Sequence, residues 1–113
     1  MRLLVVLGTR PEAIKLAPVV AEARRRPRVD LRVCVTGQHR EMLQPFLDLF
    51  DLRPDHALDL MRPDQDPADL AGRSLTAMAD LLRRDPPDRV VVQGDTTTTW
   101  TAAMAAFLSR VPV

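Results

Sequence analysis

The chain has 113 residues, of which 46% are hydrophobic and 27% charged, with a formal net charge of +1. That length holds one core, and a balanced charge with no basic stripe gives no footing for nucleic acid. No apolar stretch approaches the length of a membrane span, and a single cysteine, Cys34, cannot close an internal disulfide.

Leu3-Leu4-Val5-Val6-Leu7 is an unbroken apolar run, the pattern of a strand buried on both faces, and predicts a first strand over residues 2–8. A strand that starts so early leaves no room for a signal peptide, so a cytoplasmic location is expected. The run passes into Gly8-Thr9-Arg10-Pro11-Glu12, where Thr9 and Glu12 fit a capping box and Pro11 sits in the first turn. A helix is predicted over residues 10–26, bent or interrupted at Pro18. Arg24, Arg25 and Arg26 at its end complement the helix dipole. The N–H groups of its opening turn point outward as a seat for an anion. Arg10 and Lys15 add positive charge there, and Lys15 is the only lysine beside fifteen arginines, which suits a position needing a compact ammonium. An exposed Arg10 with a surface Glu12–Lys15 ion pair is the plainer alternative, and both remain open.

A second strand is predicted over residues 31–36, with Cys34 as a small buried hydrophobe rather than a nucleophile. Gln38-His39-Arg40 follows with donors and acceptors; no second metal ligand accompanies the lone His39, so no metal is expected. A helix over residues 40–50 carries Pro45 as a kink, and a weak strand is expected over 57–60. Asp66-Pro67 opens a longer helix with Ala71, Leu75, Met78 and Leu82 on one face, ended by Pro86-Pro87. Asp69–Arg73 and Asp80–Arg84 have the spacing of surface ion pairs. A further strand over 89–93 leads through Gly94-Asp95-Thr96 into a last helix. There the 3,4 spacing puts Trp100, Ala103, Met104, Phe107 and Leu108 on the buried side. Val111-Pro112-Val113 reads as the start of another strand, so the chain is expected to be a fragment of a larger domain.

Alternating strands and helices predict a parallel sheet with helices on both faces, whose ligands bind beyond the carboxyl ends of the strands near the switch point. Thr9-Arg10, Gln38-His39 and Asp95-Thr96 all fall at such ends. If the first strand neighbours the one ending at Gly94, Arg10 and Asp95 face one crevice. Asp95 has two candidate roles there, as cap of the last helix or as a group for proton transfer or sugar binding. Neither a Gly-x-Gly-x-x-Gly turn nor a phosphate loop ending in Gly-Lys-Ser/Thr is present, which argues against a dinucleotide-binding protein and an NTPase.

The blocks Gly8 to Lys15, Gln38-His39-Arg40-Glu41-Met42 and Gly94-Asp95-Thr96-Thr97-Thr98-Thr99, in this order, resemble the non-hydrolysing UDP-N-acetylglucosamine 2-epimerases. The resemblance covers essentially all 113 residues but only the first part of such an enzyme. It implies a Rossmann-like N-terminal domain of a two-domain GT-B-like architecture, with the second domain absent from this chain. It also implies interconversion of UDP-GlcNAc and UDP-ManNAc by elimination and re-addition of UDP, without an added cofactor, and a homodimer for the full-length protein. By match of motif Arg10 and Lys15 would contact the nucleotide-sugar and Asp95 the reacting sugar, as substrate-binding and catalytic residue. Gln38, His39 and Gln65 correspond to a regulatory nucleotide-sugar site. A glycosyltransferase of the same architecture and a non-catalytic remnant are the alternatives.

Overall fold

The apolar N-terminal run becomes the centre of a sheet. The computed structural model describes residues 1–37 and 40–113. Eight elements alternate among them: β1 (Arg2–Leu7), α1 (Arg10–Arg24), β2 (Asp30–Val35), α2 (Arg40–Leu49), β3 (His56–Ala57), α3 (Pro67–Arg84), β4 (Arg89–Val91) and α4 (Thr97–Leu108). The strands are all parallel in the order β3-β2-β1-β4. β1 pairs with β2 from Arg2↔Asp30 to Leu7↔Val35, and on its other side with β4 from Leu3↔Arg89 to Val5↔Val91. The chain therefore moves outward from β1 through β2 to β3, then crosses back to β4. That reversal places the switch point between β1 and β4, which sequence alone left conditional.

Alternate residues of β1 feed two separate cores, which is why the run is apolar without a break. Leu3, Val5 and Leu7 pack with Ala13, Leu16 and Val20 of α1 and Leu43 and Leu47 of α2. Leu4 and Val6 pack with Met78, Leu81 and Leu82 of α3 and Ala102, Ala105 and Ala106 of α4. Burying these five β1 side chains stabilises the fold by roughly 10 kcal/mol before any entropic cost. Cys34 lies in the second core as a small hydrophobe, and burial pushes its thiol up to about 12. No helix among the described residues is long and apolar enough to cross a membrane.

Several expectations change in detail. α1 runs through Pro18 as one helix, with that residue on the exposed side, where the carbonyl freed by its missing N–H meets water. The weak strand shortens to His56–Ala57, because Asp59 takes φ 49, outside the strand region. The backbone still follows β2, since Leu58 N–H and Leu60 N–H donate to the carbonyls of Val35 and Thr36, each at 3.0 Å. Asp69 pairs with Arg73 at 3.0 Å as expected, but Asp80 pairs with Arg83 instead of Arg84.

The largest correction concerns α4. Its buried side is Thr98, Thr101, Ala102, Ala105 and Ala106, whereas Trp100, Phe107 and Leu108 are 53%, 71% and 63% exposed, and Ala103 and Met104 are half-buried. Small side chains let α4 approach β1 and α3 closely, and a helix apolar on nearly every side carries no periodicity that tells inside from outside. Beyond α4 the chain returns to the free side of β4, where Val90 N–H donates to the Pro112 carbonyl at 2.9 Å.

Candidate functional site

At the carboxyl ends of β1 and β4 two turns meet. Gly8-Thr9 leads from β1 into α1, and Gly94-Asp95-Thr96 leads from β4 to α4. Gly8 is buried where a Cβ would lie 2.4 Å from both Thr36 Oγ1 and Thr98 Oγ1. Only the bare Cα of glycine lets those hydroxyls come together above it, 3.0 Å apart. They join the end of β2 to the first turn of α4, so the ends of β1 and β2 meet the start of α4 at this point. Gly94 takes φ +104, a conformation that L side chains rarely adopt, and so makes the turn into α4.

The residue that sequence reasoning underestimated is Glu12. Its side chain is 2% exposed, and no Lys, Arg or His among the described residues pairs with it. Oε2 accepts from Gly8 N–H at 2.6 Å and from Thr9 N–H at 3.0 Å. The Thr96 hydroxyl donates to Oε1 from the other turn. Only the Glu12 half of the capping box is tightly made, because the buried Thr9 hydroxyl completes no well-formed hydrogen bond among the described residues. The box was the signal for Glu12, but it speaks only of α1 and says nothing of α4.

This arrangement narrows the expected anion seat on the turn. The Gly8 and Thr9 N–H groups are already taken by the protein's own carboxylate, and Pro11 has none. What the start of α1 still offers a ligand is the Arg10 N–H together with the Arg10 side chain. The Glu12–Lys15 ion pair is likewise not formed.

Arg10, Lys15 and Asp95 are all exposed, and among the described residues their side chains make no hydrogen bond or ion pair. Two guanidinium or ammonium groups without internal partners remain available to an anion. Lys15 lies roughly 7.5 Å further along α1 than Arg10. Asp95 is not the cap of α4: Thr96 holds that position and accepts from Thr99 N–H. With β1 beside β4, Arg10 and Asp95 each flank the Glu12 contact, one residue beyond Thr9 and one before Thr96.

A hollow of about 210 Å³ opens beside Arg10, lined also by Thr9, Pro11 and Met42. Enclosed small-ligand pockets run from about 300 Å³ upward, so this one accommodates only part of a ligand. A larger groove of about 700 Å³ lies along α3, lined by Arg62, Asp69 and Arg73 among others, away from Arg10 and Asp95. Gln65 belongs to that side, because its carboxamide oxygen accepts from Arg73. Gln38 and His39 lie outside the described residues. No group of three or more His, Cys, Asp or Glu suited to a metal occurs among the described residues.

Residues 21–113 match the family model described as UDP-N-acetylglucosamine 2-epimerase. The UDP-N-acetylglucosamine 2-epimerase of Neisseria meningitidis serogroup A is 44% identical over 113 residues, which is 100% of this chain and 30% of that protein. The one from Yersinia pestis is 48% identical with the same coverage of 100% and 30%. Among solved structures, UDP-GlcNAc 2-epimerase from Neisseria meningitidis bound to UDP-GlcNAc superposes with a TM-score of 0.95 at 44% identity, over 100% of this chain and 30% of that one. The Methanocaldococcus jannaschii enzyme in complex with UDP-GlcNAc and UDP gives 0.91 at 32% identity, over 98% and 31%. The chain thus spans about 30% of the length of the curated relatives that it matches.

Proposed function

This chain belongs to the UDP-N-acetylglucosamine 2-epimerase family, with the Rossmann-like part of its GT-B-like fold, and we propose that the protein carrying it interconverts UDP-GlcNAc and UDP-ManNAc. In this reading the reaction is of the non-hydrolysing kind. The C2 hydrogen leaves as a proton while the C1–O bond to UDP breaks, giving an unsaturated 2-acetamido sugar and UDP. A proton then returns to C2 on the opposite face as the UDP oxygen re-forms its bond to C1. No redox equivalent is consumed and no water is added to the product.

The step that needs most help is the departure of the diphosphate, which gathers charge as C1–O breaks. Arg10 and Lys15 are the groups proposed to hold it, by charge and by N–H donors aimed at its oxygens. Asp95 is proposed beside the reacting sugar, to bind hydroxyls or move the C2 proton. The observation that carries this reading is the pairing of unpartnered Arg10 and unpartnered Asp95 on two turns that meet at the β1/β4 switch point. A second domain closing over this edge to grip UDP, a homodimer and a cytoplasmic location complete the proposal. A regulatory site including Gln38, His39 and Gln65 is a further part of it, and Gln65 would have to leave Arg73 to serve there.

The test is incubation of the protein with UDP-GlcNAc in deuterated water, followed by NMR. UDP-ManNAc carrying deuterium at C2 is the expected product, and absence of both epimer and label refutes the assignment. Asp95→Asn then examines the site. Because Asp95 is exposed and caps nothing, stability should change by no more than about 0.5 kcal/mol. Turnover should fall by about 10² or more if the carboxylate serves the chemistry. Near-normal turnover would remove Asp95 from the mechanism.

A further inference from the structure

We infer that Glu12 is a positioning residue for this crevice: its buried carboxylate clamps the β1–α1 turn to the β4–α4 turn and thereby sets Arg10 against Asp95. The inference rests on the reading above for what the crevice does. The clamp itself rests on geometry alone.

A helix cap does not require what this side chain does. A capping box asks of that carboxylate only that it reach back to the single N-cap N–H. Glu12 is instead 2% exposed and accepts two backbone N–H groups, from Gly8 at 2.6 Å and Thr9 at 3.0 Å. A buried charge without a cation is costly unless fixed dipoles surround it. Here those dipoles come from two elements. The β1–α1 turn supplies one set, and the Thr96 hydroxyl, 84 residues away in sequence, supplies the other. Thr99 Oγ1 lies 3.5 Å from the same carboxylate oxygen and gives its proton at 2.9 Å to the Gln93 carbonyl, two residues beyond β4.

The consequence lies in the neighbours. Thr9, held through its N–H, is followed at once by Arg10. Thr96, held through its hydroxyl, is preceded at once by Asp95. One carboxylate therefore fixes the backbone beside each of the two groups proposed to work on a common ligand. Angular and sub-ångström errors between such groups cost large factors in rate, so the clamp acts on turnover without touching substrate.

The experiment uses the whole gene product and the variants Thr96→Val, Thr96→Ser, Glu12→Gln and Glu12→Ala. Thr96→Ser keeps the donor, and Glu12→Gln keeps an acceptor for the N–H pair while presenting an NH₂ to the threonine oxygens. Both should hold kcat within about threefold of the parent. Thr96→Val and Glu12→Ala should lower kcat by about tenfold or more, with KM moving less than about threefold, in protein that remains folded. Should Glu12→Ala fail to fold, the Thr96→Val and Thr96→Ser pair decides.

A second readout needs no reaction. Amide hydrogen exchange at Gly8 and Thr9 should quicken by about tenfold in Thr96→Val, although the substitution lies on the other turn. Unchanged exchange at Gly8 and Thr9 overturns the clamp. Faster exchange with unchanged kcat overturns the positioning role. A parent protein without turnover overturns the proposed reaction instead, and the exchange measurement then still decides the clamp.

Discussion

Replacing Gly8 by alanine adds one methyl group at the most crowded point of the fold. The new Cβ would lie 2.4 Å from Thr36 Oγ1, 2.4 Å from Thr98 Oγ1 and 3.2 Å from Thr98 Cβ. The backbone at Gly8 is not in the left-handed region, so the effect is steric and not conformational. Two hydroxyls that now share a 3.0 Å hydrogen bond must separate. Overpacking of this kind costs about 1–3 kcal/mol, and leaving buried hydroxyls unsatisfied adds about 1–3 kcal/mol. A total of about 4 kcal/mol is a large share of the stability of a domain this size, and should lower the melting temperature by roughly 15–20 °C. Thermal and urea unfolding followed by far-UV circular dichroism measure it. The clash is shared with Thr36, so Gly8→Ala in a Thr36→Ala background should cost less than the sum of the two single changes. A melting temperature within about 5 °C of the parent, or strictly additive costs, would refute the claim that Gly8 exists to let these hydroxyls meet.

Two other perturbations test the surrounding physics. Gly72 sits inside α3 with nothing within 4 Å of the point a Cβ would occupy, so Gly72→Ala should stabilise the protein by about 0.5–1 kcal/mol, read as a rise in urea midpoint at constant slope. A fall would mean that the open space beside it is used. Cys34 holds its proton up to about 12 in the folded chain against 9.0 for the free group. Between those values the unfolded chain has lost a proton that the folded one keeps. Stability should therefore fall as pH rises above about 9, by at most about 1.4 kcal/mol per unit from this group. A thiol reagent at pH 8 should label Cys34 only on unfolding, and rapid labelling of the folded chain would contradict its burial.

Much of this protein was legible from local pattern. The run Leu3 to Leu7 specified a doubly buried strand because both of its faces had to be apolar. Thr9 with Glu12, and Asp66 with Pro67, marked helix starts because capping is settled within three or four residues. Asp66 does accept from Ala68 N–H at 3.1 Å. Alternation of such elements implied a parallel sheet and, because its strands all run the same way, put Arg10 and Asp95 at its carboxyl edge. Local pattern could not choose the inner face of α4, since that helix carries no charged residue to mark an outside, and the choice went to the small residues, Thr98 and Thr101 among them, that permit close approach to β1 and α3. Nor could it choose between Asp95 and Thr96 as the cap, because both are competent; it is Thr96 that takes the extended conformation, φ −87 and ψ 169, and accepts from Thr99 N–H. The same limit hid the second half of Glu12's role. A capping box is a statement about neighbours in sequence, whereas the Thr96 hydroxyl reaches Glu12 only because β4 crosses back beside β1. Short-range order was written in residue spacing; which distant groups share a buried charge was decided by the sheet that brings them together.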